Sequence, residues 1–138
     1  MSDIYSKQKR SEIMSKISRK ETKPEILVRK HLFARGFRFR KNDRRLPGSP
    51  DVVLPKYKVV IFIHGCFWHG HDECKKSKLP ETNTEFWLTK IRKNVERDNK
   101  NEIELKLLGW KVIIVWQCEL GRNLQQTIES LILSIKEV

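Results

Sequence analysis

The 138-residue sequence has few cysteines, few acidic residues and no long apolar run. Its longest apolar stretches, Val59–Ile63 and Val112–Trp116, have the length of a strand and fall far short of the roughly 18 residues that a membrane-spanning helix needs. The first ten residues lack the apolar segment of a secretory signal. We therefore expect an intracellular protein that does not enter a membrane, with one domain over residues 1–138.

Negative charge is scarce relative to positive charge. There are 17 acidic and 29 basic side chains, and residues 1–45 alone hold 15 basic and 5 acidic ones. This concentration of positive charge is typical of a protein that binds a polyanion, with nucleic acid favoured over an anionic membrane; charge that serves solubility alone is the alternative. The pattern predicts a basic DNA-binding arm or helix over residues 1–20. Its candidate DNA contacts are Lys7, Lys9, Arg10, Lys16 and Arg19.

The hydrophobic pattern beyond residue 20 alternates between helical and extended periodicity. After an irregular segment over residues 64–83, a long amphipathic helix is expected to bury Phe86, Ile91, Val95 and Leu105. The order of elements predicts an α/β fold, with helices packed on both sides of a small mixed β-sheet. The predicted helices cover residues 22–35, 84–109 and 124–135, and the predicted strands cover 37–40, 51–54, 59–63 and 110–116.

The irregular segment is rich in cysteine and histidine. Cys66, His71 and Cys74 have the spacing C-x4-H-x2-C, and Cys118 follows the last predicted strand. Three thiolates and one imidazole form a closed tetrahedral set, which is typical of structural zinc. Such a site would anchor a long loop to the end of the sheet. His69 or Asp72 in place of His71, or three free buried cysteines, are the alternatives.

A second group of polar residues surrounds the predicted strands. Asp51 follows Pro-Gly-Ser-Pro at the start of a strand, where it fits either a turn cap or a ligand of Mg²⁺. A Mg²⁺ ion that acts on phosphate needs only one or two protein carboxylates, because water and substrate oxygens complete its shell. His64 and His69 follow the next strand, and either can activate water or assist the leaving oxygen.

Several other residues have both a structural and a functional interpretation. Glu25 fits the last position of a Thr-x-x-Glu capping box or a metal-water shell. Asp98 fits a solvated helix charge or a carboxylate that orients a histidine. Phe67 and Trp68 have no periodic place in a core and suit insertion between DNA base steps, whereas Trp87 fits either this group or the core.

Four segments together resemble the very-short-patch repair (Vsr) DNA mismatch endonucleases. They are Leu46–Asp51, Val60–His69, Thr84–Asp98 and Gly109–Cys118, and the Cys-Phe-Trp-His block inside the second is the most specific. The resemblance implies a restriction-endonuclease-like core and Mg²⁺-dependent nicking of one DNA strand on the 5′ side of the thymine in a T:G mismatch.

The resemblance also implies a role for each candidate residue. Asp51 and the backbone carbonyl of Ile63 match the ligands of Mg²⁺. His69 matches the general base with Asp98 as its partner, while Glu25 and His64 match residues that assist at the phosphate. The residues that match the DNA-inserting aromatics are Phe67, Trp68 and Trp87. Those that match the Zn²⁺ ligands are Cys66, His71, Cys74 and Cys118.

The expected protein is thus a monomeric endonuclease with Mg²⁺ as catalytic and Zn²⁺ as structural cofactor. Its expected substrate is double-stranded DNA with a T:G mismatch, its place the cytoplasm at the nucleoid, and its further partners downstream repair proteins. Two other functions stay open: a restriction or genome-defence nuclease with the same core, and a zinc-containing DNA-binding module that does not cut.

Overall fold

A computed structural model describes residues 23–71, 74 and 78–137. The predicted arm over residues 1–20 and the alternative zinc ligand Asp72 lie outside these residues. The elements in chain order are α1 (Lys23–Ala34), β1 (Arg40–Lys41), β2 (Val52–Leu54), β3 (Val59–His64), α2 (Thr84–Leu107), β4 (Lys111–Trp116), α3 (Gln117–Arg122) and α4 (Leu124–Lys136).

The four strands form one mixed sheet in the order β1-β2-β3-β4. The pairs β1–β2 and β2–β3 are antiparallel, and β3 and β4 are parallel. Parallel neighbours need a long crossover connection, which the chain between β3 and β4 provides through α2. The predicted α/β class, with a small mixed sheet flanked by helices, is confirmed.

Side chains of the central strands alternate between two cores, because successive residues of a strand point to opposite faces of the sheet. Val59, Ile61 and Ile63 of β3 belong to the larger core, to which α1 and α4 also contribute. Val60 belongs to a smaller core together with Leu105 of α2. Because both faces are covered, β3 is a continuous apolar run rather than an alternating one.

The long helix α2 ends where the sequence predicted, in a turn that contains glycine. The Trp110 N–H donates to the Leu105 carbonyl at 3.0 Å, and Gly109 has a φ of 91°. This left-handed conformation favours glycine and is typical of a helix C-terminus. The turn sends the chain directly into β4.

Two local predictions were wrong and one helix was not expected. The first strand covers only Arg40–Lys41 instead of residues 37–40, because Phe37 packs into the larger core directly after α1. Phe86 does not lie on the buried face of α2 but is 61% exposed, and its ring contacts Trp87. The short helix α3 follows β4 without any intervening turn residue.

None of the helices in the described ranges has the length and hydropathy that crossing a bilayer requires.

We predict that Leu105→Ala lowers the free energy of unfolding by about 2–5 kcal/mol, because it leaves a cavity in the core between α2 and the sheet. Leu107→Ala is the matched control on the same helix, since Leu107 is 82% exposed. Its effect is expected to stay within about 0.5 kcal/mol. Urea denaturation measures both variants, and equal losses would contradict this placement of Leu105.

Candidate catalytic and metal-binding site

All five candidate catalytic residues line one cavity of about 410 Å³. They come from five separate parts of the chain: α1, the segment before β2, the end of β3, the loop after β3 and the middle of α2. The cavity therefore exists only in the folded chain. The five residues are Glu25, Asp51, His64, His69 and Asp98.

Asp51 is held in place by the neighbouring strand and by α1. The N–H of Ile63 donates to Asp51 Oδ2 at 2.7 Å, and Arg29 Nη2 donates to the Asp51 backbone carbonyl at 2.7 Å. The antiparallel register, which pairs Val52 with Ile61, brings Asp51 beside the end of β3. A side chain that accepts from a strand twelve residues away is not an ordinary turn cap.

The surroundings of Asp51 disfavour its negative charge. The pKa of Asp51 is raised to about 7, because the effects of burial and of the Glu25 carboxylate outweigh those of the Ile63 N–H and the Arg29 guanidinium, which lower it. Two carboxylates in a partly dehydrated cavity repel each other unless a cation lies between them. Carboxylate and carbonyl oxygens are the ligands of hard divalent cations, so the donor set of Asp51, Glu25 and the Ile63 backbone fits such an ion.

Glu25 takes part in the cavity rather than only in a helix cap. Its carboxylate lies 3.7 Å from the Arg29 guanidinium and contributes to the wall of the cavity that holds Asp51. Thr22, the other member of the expected capping box, lies outside the described residues.

His69 and Asp98 form a hydrogen-bonded pair. His69 Nδ1 donates to Asp98 Oδ2 at 2.5 Å, across 29 residues of sequence. A carboxylate acceptor fixes the proton of the neutral ring on Nδ1, so that Nε2 keeps a lone pair. The solvated-charge interpretation of Asp98 does not describe this geometry. The arrangement can take a proton at His69 Nε2 and stabilise the resulting charge.

His64 stacks on His69, with ring centroids 3.8 Å apart and an interplanar angle of 2°. The pKa of His64 is lowered to about 4, mainly by burial and also by His69, whereas the Asp98 carboxylate opposes the decrease. The ring is therefore neutral near pH 7 and has one N–H to donate. Ligand atoms of His64, His69 and Asp98 lie within 4.8 Å of one another, but the lone pairs of the two stacked rings lie in separate parallel planes, which disfavours a shared ion.

The four candidate zinc ligands converge on one point of the structure. Ligand atoms of Cys66, His71, Cys74 and Cys118 all lie within 4.8 Å of one another. Cys118 Sγ is 3.4 Å from His71 Nδ1, close to the roughly 3.5 Å that separates a sulfur and a nitrogen ligand on tetrahedral zinc. Burial and the thiols of Cys66 and Cys74 raise the pKa of Cys118 to about 11. Thiols this close together fit a soft metal ion. His69, the alternative imidazole ligand, is hydrogen-bonded to Asp98.

Trp116 joins the two groups, a position that the sequence did not predict. Its ring stacks on His71 at 4.1 Å and meets the edge of His64 at 5.2 Å. In the sequence, Trp116 is only the last residue of the predicted strand over residues 110–116. The strand register carried the missing signal, because β3 and β4 are parallel and end together at His64 and Trp116.

The candidate DNA-inserting aromatics form one partly exposed cluster next to the cavity. The ring centroids of Phe67, Trp68 and Trp87 lie 5.1–5.9 Å apart. Trp87 thus belongs with the loop aromatics. Lys90 Nζ lies 5.5 Å from the Trp68 ring centroid, and Asn94 Nδ2 donates to the Trp68 carbonyl at 3.0 Å.

Sequence reasoning missed Lys90 and Asn94, although helical spacing contains the signal. From Trp87 to Asp98 the residues at intervals of three and four, Lys90 and Asn94 among them, share one face of α2. This face supports the aromatic cluster at one end and the catalytic pair at the other.

Comparison with known proteins matches residues 2–76 to the family model of DNA mismatch endonuclease Vsr. The chain is 63% identical over 120 residues to the type II nicking enzyme V.NmeAIP of Neisseria meningitidis, covering 87% of this chain and 85% of that protein. It is 45% identical over 137 residues to DNA mismatch endonuclease Vsr of Escherichia coli K12, covering 99% and 87%. It is 44% identical over 121 residues to the type II nicking enzyme V.XorIIP of Xanthomonas oryzae, covering 88% of each chain.

The raised pKa of Asp51 predicts the sign of a pH effect on stability without divalent cations. A folded pKa near 7 against an ordinary value of 3.8 means that the contribution of Asp51 to stability is complete below pH 3.8 and is lost as the pH rises through 7. Relative to Asp51→Asn, the wild type is expected to lose roughly 2 kcal/mol of unfolding free energy between pH 5 and pH 8. Urea denaturation at several pH values measures the difference.

Asp43→Asn is the control for this prediction. Hydrogen bonds from Arg45 lower the pKa of Asp43 to about 2, so Asp43 is ionised in both the folded and the unfolded chain above pH 5. Its difference from the wild type is expected to stay constant between pH 5 and pH 8. A constant difference for Asp51→Asn as well would show that the cavity does not perturb this carboxyl group.

Proposed function

Because the chain belongs to the Vsr family of DNA mismatch endonucleases, we propose that it nicks one strand of duplex DNA on the 5′ side of the thymine in a T:G mismatch. Family membership makes it a DNA endonuclease with a restriction-endonuclease-like core. One observation supports the proposal most strongly: the cavity unites the Asp51 and Glu25 carboxylates with the hydrogen-bonded pair of His69 and Asp98.

The family of nucleases uses a divalent metal, and we propose Mg²⁺ with Asp51 and the Ile63 carbonyl as its protein ligands. When bound, Mg²⁺ supplies a Lewis acid that stabilises the negative charge developing on the attacked phosphate. The hydrogen bond from the Ile63 N–H to Asp51 Oδ2 supports this assignment, because it orients the carboxylate in the cavity. Glu25 would bind water next to the same carboxylate.

We propose that the histidines move the proton and hold the phosphate. His69 Nε2 accepts a proton from the attacking water, and the Asp98 carboxylate stabilises the imidazolium that forms. His64 stays neutral near pH 7 and donates its N–H to a phosphate oxygen. Stacking of His64 on His69 holds the two rings at a fixed separation. This supports separate roles for them, with His69 as the proton acceptor and His64 as the hydrogen-bond donor to phosphate.

The aromatic cluster and the basic charge account for the choice of DNA. Phe67, Trp68 and Trp87 would insert beside the mispair, since a wobble pair costs less to unstack than a matched pair. The basic candidates of the arm would contact backbone phosphates and make binding depend strongly on salt concentration. They are Lys7, Lys9, Arg10, Lys16 and Arg19.

Zn²⁺ is the structural metal in this proposal. Cys66, His71, Cys74 and Cys118 would hold it in a closed tetrahedral site and so anchor the loop that carries Phe67 and Trp68. We further propose a single domain over residues 1–138, which acts as a monomer at the nucleoid in the cytoplasm and passes its nicked product to downstream repair proteins.

A second candidate function is sequence-specific nicking of matched DNA by the same core, as in a restriction or genome-defence system. The relative that is 63% identical to the chain is named a type II nicking enzyme, which favours this candidate over a DNA-binding module that does not cut. A module without catalysis would also leave Asp51, His64 and His69 without a role.

A nicking assay on two duplexes that differ only in a T:G or T:A pair tests the proposed function. The wild type is expected to cut only the thymine strand of the T:G duplex, with Mg²⁺ and not without it. Asp51→Ala should bind this duplex and not cut it, and His69→Ala should cut roughly 10²–10⁴-fold more slowly. Asp43→Ala, an aspartate paired with Arg45 instead, should cut like the wild type.

Nicking of the matched T:A duplex as fast as the T:G duplex, or cleavage of both strands of the matched duplex, would favour the restriction candidate. Equal cutting by the wild type and by Asp51→Ala would refute the assignment of Asp51 to catalysis.

Metal analysis tests the zinc site independently of cleavage. The wild type is expected to hold one Zn²⁺ ion per chain, and His71→Ala should lose it together with several kcal/mol of unfolding free energy. His31→Ala is the control, because His31 lies on α1 and does not belong to the Cys/His cluster. Full zinc content in His71→Ala, or wild-type protein without zinc, would contradict the proposed ligand set.

A further inference from the structure

A second groove runs along α1, outside the catalytic cavity. It has a volume of about 570 Å³ and lies between α1 and the segment over residues 38–41. We call it the α1 groove. Its lining includes Ile26, Lys30, Phe33, Arg38 and Phe39.

The α1 groove combines an exposed aromatic ring with positive charge. Phe33 is 59% exposed, and the Arg38 guanidinium carbon lies 4.6 Å from its ring centroid. Ile26, Lys30 and Phe33 are spaced by four and three residues and therefore form one stripe along the helix. None of the described residues that line the groove carries a carboxylate. Its charge and its exposed ring thus complement a polyanion that also offers apolar surface.

The α1 groove is connected to the catalytic cavity through two residues of the same helix. Arg29 lines the groove, and its Nη2 atom donates to the backbone carbonyl of Asp51 at 2.7 Å. Glu25, one turn earlier, lines the catalytic cavity. From Ile26 to Phe33 the helix rises about 10 Å, which equals about three nucleotide steps of ~3.4 Å along B-DNA.

We propose that the α1 groove binds the DNA strand that flanks the cleaved phosphodiester on one side. Lys30 and Arg38 contact backbone phosphates, and Phe33 packs against the deoxyribose between them. The inference rests on the proposed function only in that DNA is cut next to Asp51. Charge complementarity and the connection to the catalytic cavity favour this occupant over a protein or a membrane surface.

The salt dependence of DNA binding measures these contacts. Each phosphate contact contributes about 0.9 to the slope of log K against log salt concentration. Lys30→Ala and Arg38→Ala are each expected to lower the slope by about 1. Phe33→Ala is expected to weaken binding several-fold with the slope unchanged, because it removes an uncharged contact. Fluorescence anisotropy without added Mg²⁺ measures binding in the absence of cleavage.

Matched controls come from α4, where an exposed apolar residue and a lysine have the same spacing of three. Leu133 is 71% exposed, and Lys136 lies in the last turn of α4. Leu133→Ala and Lys136→Ala are expected to leave both affinity and slope unchanged. Because Lys30 and Phe33 are exposed, thermal unfolding should show that all of these variants fold as the wild type does.

Truncated duplexes test the position of the contact. With the mismatch kept, the duplex is shortened on one side or on the other. The variant effects are expected to persist on one truncated duplex and to disappear on the other. Unchanged slopes for Lys30→Ala and Arg38→Ala, or equal losses in the α4 controls, would overturn the proposal. The proposal would also be overturned if Lys30→Ala and Arg38→Ala weakened binding to anionic phospholipid vesicles but left DNA binding unaltered.

The same measurements on matched duplex separate this inference from the proposed function. If the wild type does not distinguish the T:G from the T:A duplex, the proposed function is wrong. The salt slopes of the variants and the effect of truncating the duplex still decide whether the α1 groove binds DNA.

Discussion

The hydrogen bond from the Ile63 N–H to the carboxylate of Asp51 is the contact on which the candidate catalytic cavity depends. It fixes a half-buried carboxylate beside Ile63, the residue that precedes His64 at the end of β3. The same burial makes the negative charge of Asp51 unfavourable, and Glu25 adds to this effect. The protein thus maintains an electrostatically unfavourable arrangement that a divalent cation would relieve. Such arrangements are typical of catalytic sites rather than of structural ones.

The helix α2 and the strand pair β3–β4 bring together residues that are far apart in the sequence. One face of α2 contacts the aromatic cluster through Asn94 and the His69 ring through Asp98. At the ends of the strands, Trp116 lies between the Cys/His cluster and His64. Trp116 thus contacts one candidate zinc ligand, His71, and one candidate catalytic residue, His64. The loop that carries Phe67 and Trp68 and the cavity that contains the carboxylates are therefore supported by the same helix and strands.

Positive charge lies on α1 and on the segment after it as well as in the first twenty residues of the sequence. The sequence concentrates basic residues in its first third, and some of them lie on α1 and on the segment that follows it. There the chain leaves Phe33 exposed instead of burying it, with Arg38 above the ring. Phe33 lines the α1 groove together with Lys30 and Arg38, and this combination of an exposed ring and positive charge is the surface for which we propose a contact with DNA.

Local sequence patterns were sufficient to predict the class of fold, the buried strands and the sets of candidate ligands. Continuous apolar runs such as Val59–Ile63 indicate strands that are buried on both faces, and glycines mark the ends of the helices, because burial and backbone conformation are recorded locally. The cysteine and histidine spacing indicated a metal set for the same reason. Resemblance to a family then suggested which of the carboxylates and histidines act together.

Which side chains meet, in contrast, followed only from the folded chain. His69 and Asp98 are 29 residues apart and Cys118 and His71 are 47 apart, and no local pattern reports contacts of that range. Phe86 followed the helical period yet is exposed, because α2 begins beside the aromatic cluster rather than over the sheet. Trp116 had the pattern of a packing residue, and only the parallel register of β3 and β4 placed it against His64. Periodicity determines which face of an element is buried, whereas register and chain crossover determine what that face contacts.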